Sequence, residues 1–182
     1  MRAFAIALLV IASNAFPGIA QQFNAESLAP YIPTPEILVQ TMLQAADVKP
    51  GDVVYDLGSG DGRIVIAAAK SFGAHAVGVE LRPDLCRKAE LRVKAMGLED
   101  LVKIVPGNFL HVDLSPATVV TIYLLTSSNE RLKPNLEKYL RPGARVVSND
   151  YPMKGWRESR LRIVKMGSAE HKIYVYEMGH TK

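Results

Sequence analysis

The stretch that decides the fold spans residues 53–63 and reads Val53-Val54-Tyr55-Asp56-Leu57-Gly58-Ser59-Gly60-Asp61-Gly62-Arg63. An apolar run that ends on a carboxylate, followed by alternating glycines, predicts a buried strand, a tight turn and the start of a helix. We expect the glycines to bring backbone N–H groups close to a ligand. Their spacing differs from the G-x-G-x-x-G of dinucleotide-binding proteins and from the G-x-x-x-x-G-K-[ST] of phosphate-binding loops. Because a carboxylate before the turn repels a pyrophosphate and attracts a cation or an amine, the sequence predicts a positively charged ligand here.

Strands and helices alternate along the rest of the chain. Hydrophobic periodicity and turn residues predict strands at 53–57, 75–80, 101–105, 118–124 and 144–148, and helices at 62–71, 83–96 and 127–140. A further helix is expected to begin at Pro35, with Thr34 as its N-cap. The alternating segments 161–166 and 171–178 predict a C-terminal antiparallel hairpin. Together these elements predict an α/β fold, a seven-stranded doubly wound sheet that ends in this hairpin.

The first twenty residues differ in character from the rest of the chain. Arg2 precedes an apolar stretch at 3–12, and small residues at 17–20 precede Gln21. This pattern is typical of a secretory signal peptide, and the stretch is short for a membrane span of about 20 residues. Residues 1–20 are therefore expected to be a signal peptide, with an uncleaved membrane anchor or a buried N-terminus as the alternatives. Cleavage would give an exported protein, periplasmic or secreted, whereas an anchor would leave the domain at 21–182 in the cytoplasm.

Composition restricts the classes of function. Hydrophobic residues make up 48% of the 182 positions and charged residues 22%, values typical of one globular domain. The net charge of +4 is modest, and the basic residues form no stripe longer than the segment 157–162, whereas nucleic-acid binders concentrate such residues on one surface. The histidines lack the spacing of metal ligands, and His111-x-Asp113 alone is too weak to indicate a site. The sequence therefore predicts neither nucleic-acid binding nor a metal.

Side chains suited to binding follow the predicted strands. In a doubly wound sheet, ligands bind outside the carboxyl ends of the strands, near the switch in strand order. Asp56 ends the first strand and Glu80 the second, Asn108 and Phe109 follow the third, and the fourth ends at 123–126. The Glu80 carboxylate suits the two hydroxyls of a ribose, with a helix-cap role as the alternative. The Asn108 amide suits an adenine amino group with Phe109 against the ring, unless Asn108 serves only its turn.

Eight segments occur in the order found in a known family. They lie at residues 31–36, 56–66, 78–80, 107–109, 118–126, 129–134, 145–148 and 155–156. In these segments the chain resembles the class I S-adenosylmethionine-dependent methyltransferases. Within that class it is similar to the protein-lysine methyltransferases, which include a small archaeal broad-specificity enzyme and the mitochondrial enzymes that act on the ATP synthase c-subunit and the adenine nucleotide carrier. The glycine turn alone indicates only a methyltransferase, whereas 31–35, 123–126 and 155–156 are much more specific.

The resemblance implies a Rossmann-like methyltransferase fold and S-adenosyl-L-methionine as methyl donor, without a metal. The cofactor-binding residues it implies are Asp56, Gly58, Ser59, Gly60, Gly62, Glu80, Asn108, Phe109 and Thr126. The residues expected around the accepting amine, catalytic through their position, are Tyr31, Tyr123, Asn129 and Trp156. Ordinary core roles are the alternative for Tyr123 and Trp156. Asp61 either contacts the amino-acid part of the cofactor or caps the helix that follows the glycine turn.

The expected activity is methylation of lysine side chains in protein substrates, with loose sequence preference, by a monomer. A lysine amine must lose its proton before it accepts a methyl group, and a partly desolvated channel beside a cationic cofactor lowers its pKa. A small-molecule methyltransferase and a non-catalytic S-adenosylmethionine-binding module are the alternatives. Nucleic-acid methylation is disfavoured because the Asn-Asp-Tyr-Pro segment at 149–152 follows the fifth strand and lacks the double proline of the amino-methylating enzymes.

Overall fold

The computed structural model describes residues 31–181, so the predicted signal or anchor at 1–20 lies outside the described residues. Within this part, the helices are α1 (Glu36–Ala45), α2 (Arg63–Phe72), α3 (Pro83–Ala95) and α4 (Thr126–Tyr139), with a 3₁₀ helix at Phe109–His111. The strands are β1 (Val53–Leu57), β2 (His75–Glu80), β3 (Val102–Pro106), β4 (Val119–Ile122), β5 (Arg145–Asn149), β6 (Arg160–Met166) and β7 (Ala169–Glu177). None of the helices in residues 31–181 has the length and hydropathy that a bilayer crossing requires.

The seven strands form one sheet in the order β3-β2-β1-β4-β5-β7-β6. The first five strands run parallel, and β7 pairs antiparallel with both β5 and β6. The predicted doubly wound sheet with a C-terminal antiparallel hairpin is therefore confirmed. Strand order reverses between β1 and β4, and this switch point is where doubly wound sheets bind their ligands.

Each face of the sheet has its own hydrophobic core. Helices α1 and α2 cover one face, where the buried run Ile64–Ala69 of α2 packs on strand residues such as Val54 and Val119. Helix α4 covers the other face through Leu132 and Leu136. Because side chains alternate along a strand, β1 supplies Val54 to the first core and Tyr55 and Leu57 to the second. Because helices cover both faces of the sheet, a ligand can reach the sheet only at the ends of its strands.

The structure differs from three local expectations. Thr34 does not cap α1, because the N-cap is Pro35 and no side chain bonds to the helix start. The Thr34 carbonyl instead accepts a 2.7 Å hydrogen bond from Arg63, which ties the segment before α1 to α2. Asp61 does not cap α2 either, since its N-cap is Gly62 in the left-handed conformation. The predicted fourth strand, 118–124, is shorter in the structure and ends at Ile122.

Candidate active site

The carboxyl ends of the parallel strands bring the predicted residues to one edge of the sheet. Asp56 on β1 lies between Gly78 on β2 and Thr121 on β4 in the strand register. Ile122, the last residue of β4, pairs with Ser148 of β5. The segments that follow β1, β2, β4 and β5 therefore meet at the switch point, as the topology predicts.

The glycine turn is held by the neighbouring strand. The N–H groups of Gly58 and Ser59 donate to the carbonyl of Val79 at 2.9 and 3.0 Å, and the N–H of Gly60 donates to the Glu80 carboxylate at 2.8 Å. Acceptors on β2 already occupy these N–H groups, so the expectation that the glycines bring N–H groups close to a ligand stays a prediction. A turn with its amides occupied is not an anion cradle, which agrees with a cationic ligand.

Close packing explains two of the glycines around this turn. A Cβ on Gly60, whose φ is +55°, would lie 2.6 Å from the Tyr31 ring. A Cβ on Gly78 would lie 2.7 Å from the Ser59 hydroxyl oxygen. That oxygen is buried and has no hydrogen-bond partner within the chain. Tyr31 thus covers the turn from outside, and Ser59 sits against β2 beneath it.

Asp56 is a buried carboxyl group at the end of β1. Its side chain accepts a 2.7 Å hydrogen bond from Thr121, which is fully buried on β4. Burial raises the pKa of Asp56 to about 7, the Thr121 hydrogen bond opposes this change, and the charges of Glu80 and Asp61 add to it. A cation bound nearby would favour the ionised form of Asp56. The sequence analysis did not identify Thr121, although a polar residue within a buried apolar strand is a usable signal.

Glu80 has the helix-cap role considered for it, and its ribose-binding role stays a prediction. One carboxylate oxygen accepts from the Gly60 N–H, and the other accepts from the Arg82 N–H at 2.9 Å. The second bond stabilises the N-terminus of α3, where Arg82 is the N-cap. Glu80 is therefore fixed in orientation between the turn and the helix, and its charge stays at the end of β2.

Asp61 serves the structure of the turn. Its carboxylate forms ion pairs with Arg63 at 2.9 Å and with Arg92 of α3 at 2.7 Å. Burial raises the pKa of Asp61, but the hydrogen bonds and charge of Arg63 and the charge of Arg92 outweigh it, so the pKa lies below the ordinary value. Two guanidinium groups neutralise this carboxylate, which leaves Asp56 and Glu80 as the acids available to a ligand.

The residues expected around the amine fall into three places, of which the glycine turn covered by Tyr31 is one. Tyr123 lies just after β4, with its ring 6.3 Å from that of Tyr151, and Asn129 donates a 3.0 Å hydrogen bond to the Tyr151 carbonyl. The side-chain oxygen Oδ1 of Asn129 is buried and has no hydrogen-bond partner within residues 31–181. Thr126, the first residue of α4, is exposed beside them.

Trp156 lies elsewhere, in the core beneath α4. Its indole N–H donates to Glu137 at 3.0 Å, and its ring meets Tyr176 edge-on at 5.5 Å. These contacts are those of a core aromatic, the alternative role considered for this residue. Its assignment to the amine channel stays a prediction.

The adenine assignments also remain predictions. The Asn108 side-chain oxygen accepts from the Leu110 N–H at 3.0 Å, which fixes the start of the 3₁₀ helix. This is the turn role, and it leaves the amide N–H₂ of Asn108 for a ligand. Phe109 is buried in the core on the α4 face.

Asp150 and His171 were not predicted as site residues. Asp150 follows β5 with a φ of +61°, and its carboxylate lies 2.9 Å from the His171 ring nitrogen Nδ1. The Asn-Asp-Tyr-Pro segment is visible in the sequence, but nothing there connects Asp150 with a histidine 21 positions later. Among residues 31–181, no group of three His, Cys, Asp or Glu side chains is placed to hold a metal ion.

The side chains at this edge fit S-adenosylmethionine. That cofactor carries an ammonium and a sulfonium, and the edge offers the carboxyl groups of Asp56 and Glu80 without a paired side-chain cation. The buried, unpartnered Ser59 hydroxyl and the Tyr31 ring over Gly60 lie at the same turn. These carboxyl groups and their neighbours therefore suit a cationic nucleoside better than a phosphate.

Comparison with known proteins gives a consistent family. The sequence model of the ANTKMT methyltransferase domain matches residues 56–160. A protein-lysine N-methyltransferase of Saccharolobus islandicus (strain REY15A) is 49% identical over 154 residues, which cover 84% of this chain and 96% of that protein. A lysine N-methyltransferase of the ATP synthase c-subunit, from Xenopus laevis, is 30% identical, with 94% of this chain and 73% of the relative covered.

One solved structure is similar at comparable identity. It is a crystal structure described as an RNA methyltransferase from Salinibacter ruber in complex with S-adenosyl-L-homocysteine, with a TM-score of 0.74 and 46% identity. The match covers 81% of this chain and 95% of that one. The predicted relationship to the methyltransferases, including the lysine methyltransferases of archaea and mitochondria, is confirmed, and this chain belongs to the ANTKMT methyltransferase domain family.

Proposed function

We propose that this protein transfers a methyl group from S-adenosyl-L-methionine to lysine side chains of proteins, with loose sequence preference. The observation that carries the proposal is the 49% identity to the archaeal protein-lysine N-methyltransferase over 96% of that protein's length. The lysine methyltransferases of vertebrates that share the family support the same substrate class. Side chains at the switch point of the sheet add an independent argument from charge.

Asp56 and Glu80 would hold the cofactor at the ends of β1 and β2. Bound S-adenosylmethionine supplies a methyl group on a positively charged sulfur, so the donor is already activated. The protein's task is then to bind and orient the accepting amine, a contribution of up to about 7–11 kcal/mol in favourable intramolecular reactions. Glu80 is suited to holding the cofactor because two backbone N–H groups fix its carboxylate.

Tyr123, Tyr151 and Asn129 would surround the accepting amine. A lysine ammonium has an ordinary pKa of about 10.4, so it must be desolvated before it loses its proton readily at neutral pH. Aromatic rings and carbonyl oxygens bind such a group without a fixed countercharge. The tilted Tyr123–Tyr151 ring pair and the unpartnered Asn129 oxygen meet this requirement at the end of β4.

RNA methylation is the second candidate, because the 46% identical structure from Salinibacter ruber is described as an RNA methyltransferase. The charges at the site favour the lysine hypothesis. RNA-binding sites place Lys and Arg along the phosphates, whereas Asp56, Glu80 and Asp150 place carboxyl groups at the strand ends. An amine substrate carries the charge that this edge attracts.

A labelling experiment separates the two candidates. The purified protein is incubated with S-adenosylmethionine carrying a tritiated methyl group, together with a lysine-rich protein, the same protein after lysine acetylation, or total RNA. We expect label in the untreated protein and little in the other two samples. Label in RNA, with none in the untreated protein, would refute the lysine proposal.

A pair of variants ties the activity to the site. Glu80→Ala removes the carboxylate between the turn and α3, and we expect cofactor binding and methylation to fall together. Glu90→Ala removes an exposed carboxylate on α3 and serves as the matched control, with activity close to that of the parent. Equal cofactor affinity in the parent and Glu80→Ala would contradict the assignment of Glu80.

The proposal also includes a monomer. Exposed large hydrophobic side chains such as Ile37, Leu91 and Ile163 lie on α1, α3 and β6 and therefore on separate elements. Scattered apolar residues of this kind are ordinary on a monomer surface. Light scattering on the purified protein tests it, and a stable dimer mass would contradict it.

A further inference from the structure

Asp150 is held in an uncommon backbone conformation by β7, the strand that pairs with β5 in the sheet. Its φ of +61° places it in the left-handed region, which residues other than glycine rarely adopt. The Asp150 N–H donates to the Lys172 carbonyl at 2.7 Å, and the Lys172 N–H donates to the Asp150 carboxylate at 3.0 Å. The second carboxylate oxygen lies 2.9 Å from Nδ1 of His171. Three contacts to β7 therefore fix the orientation of this carboxylate.

The fixed carboxylate lies at the same strand ends as Tyr123. Ile122 of β4 pairs with Ser148 of β5, so Tyr123 and Asp150 both follow this pair, and the Tyr123 ring lies 6.3 Å from that of Tyr151, the residue after Asp150. Burial raises the pKa of Tyr123, and the negative charge of Asp150 acts in the same direction. The phenol is consequently neutral at physiological pH, and Asp150 is the acceptor available to its O–H. A hydroxyl that donates in one direction presents only its lone pairs in the others.

An amine that accepts a methyl group needs hydrogen-bond acceptors around it. Its lone pair must remain free to reach the methyl carbon, so only its N–H groups are available for hydrogen bonds. A phenol free to rotate would also donate its O–H to the amine nitrogen and occupy the lone pair. A phenol whose hydrogen is already bound to Asp150 cannot do so.

We propose that Asp150 and His171 are positioning residues for the methyl-accepting amine, which hold the Tyr123 hydroxyl so that its oxygen accepts an N–H from the substrate lysine. The inference rests on the proposed lysine methylation and adds two residues to it. His171 acts through Asp150, and Asp150 acts through Tyr123. The side-chain oxygen Oδ1 of Asn149 is buried beside Asp150 with no partner among residues 31–181, and it is available as a further acceptor at the same strand end.

A second histidine–carboxylate pair provides a contrast on the same hairpin. His180 lies 3.5 Å from Glu177, and the side chains are 77% and 45% exposed. For His171 and Asp150 both values are 22%. The half-buried pair lies beside the predicted amine site, whereas the exposed pair lies at the far end of β7. The exposed pair is therefore a matched control.

The first test is a double-mutant cycle on Asp150 and Tyr123. Asn tolerates the left-handed conformation and can keep the bond to the Lys172 N–H, but its amide donates to the phenol and reverses the hydrogen bond. In Asp150→Asn we expect kcat to fall ~10–100-fold, a loss typical of a misplaced reactive group, with little change in cofactor affinity. In a Tyr123→Phe background the same substitution should have almost no further effect. Full activity in Asp150→Asn, or effects that simply multiply, would overturn the proposal.

The second test uses His171. The Asn amide nitrogen can replace Nδ1 of histidine, so His171→Asn should retain most of the activity that His171→Ala loses. His180→Ala should leave activity unchanged. Equal loss in both His171 variants would indicate a role other than holding Asp150 and would contradict the inference. If the melting temperature shows that Asp150→Asn does not fold, the comparison of His171→Asn with His171→Ala tests the positioning role by itself.

The third test requires no catalysis. Nuclear magnetic resonance of ring-labelled tyrosine, with the Tyr123 signal identified by its loss in Tyr123→Phe, follows ionisation of the phenol in the ligand-free protein. Removing the Asp150 charge in Asp150→Asn should lower the Tyr123 pKa, and an unchanged value would overturn the inference. If the parent itself methylates no lysine, the proposed function fails; if it does and these variants behave as the parent, only the positioning role of Asp150 and His171 fails.

Discussion

Replacement of Asp56 by Asn should make the ligand-free protein more stable than the parent, by an amount that grows as the pH rises. Asp56 is 3% exposed, its carboxyl group accepts a hydrogen bond from Thr121, and burial is the main cause that raises its pKa to about 7. The unfolded chain restores the ordinary value of 3.8. Because the folded-state pKa is the higher one, the protein has the full stability contribution of this group below about pH 4 and loses it progressively toward pH 7.

The size of this effect follows from the two pKa values. The difference between 3.8 and about 7 corresponds to a total of about 4 kcal/mol, of which about 3 kcal/mol is lost between pH 5 and pH 8. Asn keeps the size and the acceptor for Thr121 but cannot ionise. For a domain of this length, about 3 kcal/mol changes the melting temperature by roughly 6–12 °C.

The measurement is urea unfolding of the parent and Asp56→Asn at pH 5 and pH 8, supported by melting temperatures. We expect the variant's advantage in the free energy of unfolding to grow by about 3 kcal/mol over this range. The same variant should bind S-adenosylmethionine at least about tenfold more weakly, since it cannot supply a negative charge to the cation. A stability difference that does not change with pH would refute the idea that Asp56 is a strained carboxyl group kept for a ligand.

Asp52 provides the control at the other end of β1. It is also buried, but it pairs with Arg145 and accepts a 2.7 Å hydrogen bond from Thr118. Asp52→Asn leaves Arg145 without its partner, so this variant should be less stable than the parent at pH 8. Two Asp→Asn substitutions, one just before β1 and one near its end, thus have opposite expected signs.

Three further predictions concern the turn and the chain terminus. Gly78→Ala places a Cβ 2.7 Å from the Ser59 hydroxyl oxygen, so the free energy of unfolding should fall by about 1–3 kcal/mol. Adding Ser59→Gly to this variant should recover part of the lost stability. No recovery would show that the contact with Ser59 is not the cause. Arg92→Met should lower the free energy of unfolding by about 1–3 kcal/mol. It removes one of the two guanidinium partners of the buried Asp61 carboxylate and a hydrogen bond to the Asp61 backbone carbonyl. An unchanged melting temperature would contradict this prediction. N-terminal sequencing of the natural protein should give a start at Gln21 if residues 1–20 are a cleaved signal, and an intact N-terminus would support the tether instead.

Much of the fold follows from periodicity and turn residues. The strand at 53–57 and the strand at 75–80 were predicted with the bounds that the structure has. The fourth strand was predicted too long because Tyr123 and Leu124 continue the apolar pattern after the pairing with β5 has ended at Ile122. An apolar pattern records burial, whereas strand assignment requires a hydrogen-bonded neighbour.

The contacts of the site were harder to predict, because their partners come from distant parts of the chain. The glycines at 58–62 identified the turn correctly, but the acceptors for its N–H groups are Val79 and Glu80 on another strand. Likewise, Thr34 is a reasonable N-cap by residue type, yet Arg63 uses its carbonyl and the helix begins without a side-chain cap. A residue's type gives its local preference, but the hydrogen bonds it makes depend on which partners the fold brings close to it.

The antiparallel hairpin explains how a residue near the chain's end reaches the site. A parallel strand delivers its carboxyl end to the binding edge, so the residues that matter follow β1, β2, β4 and β5. Strand β7 runs the opposite way, and Asn149 at the end of β5 pairs with Ile173 in the middle of β7. The residues that β7 brings to the edge are therefore those in its first half, and His171 and Lys172 are among them. The pairing of Ile163 on β6 with Lys172 fixes the register from the other side. A one-residue slip of β7 against β5 would turn His171 to the opposite face and free Asp150, so this register is a requirement of the site as well as of the sheet.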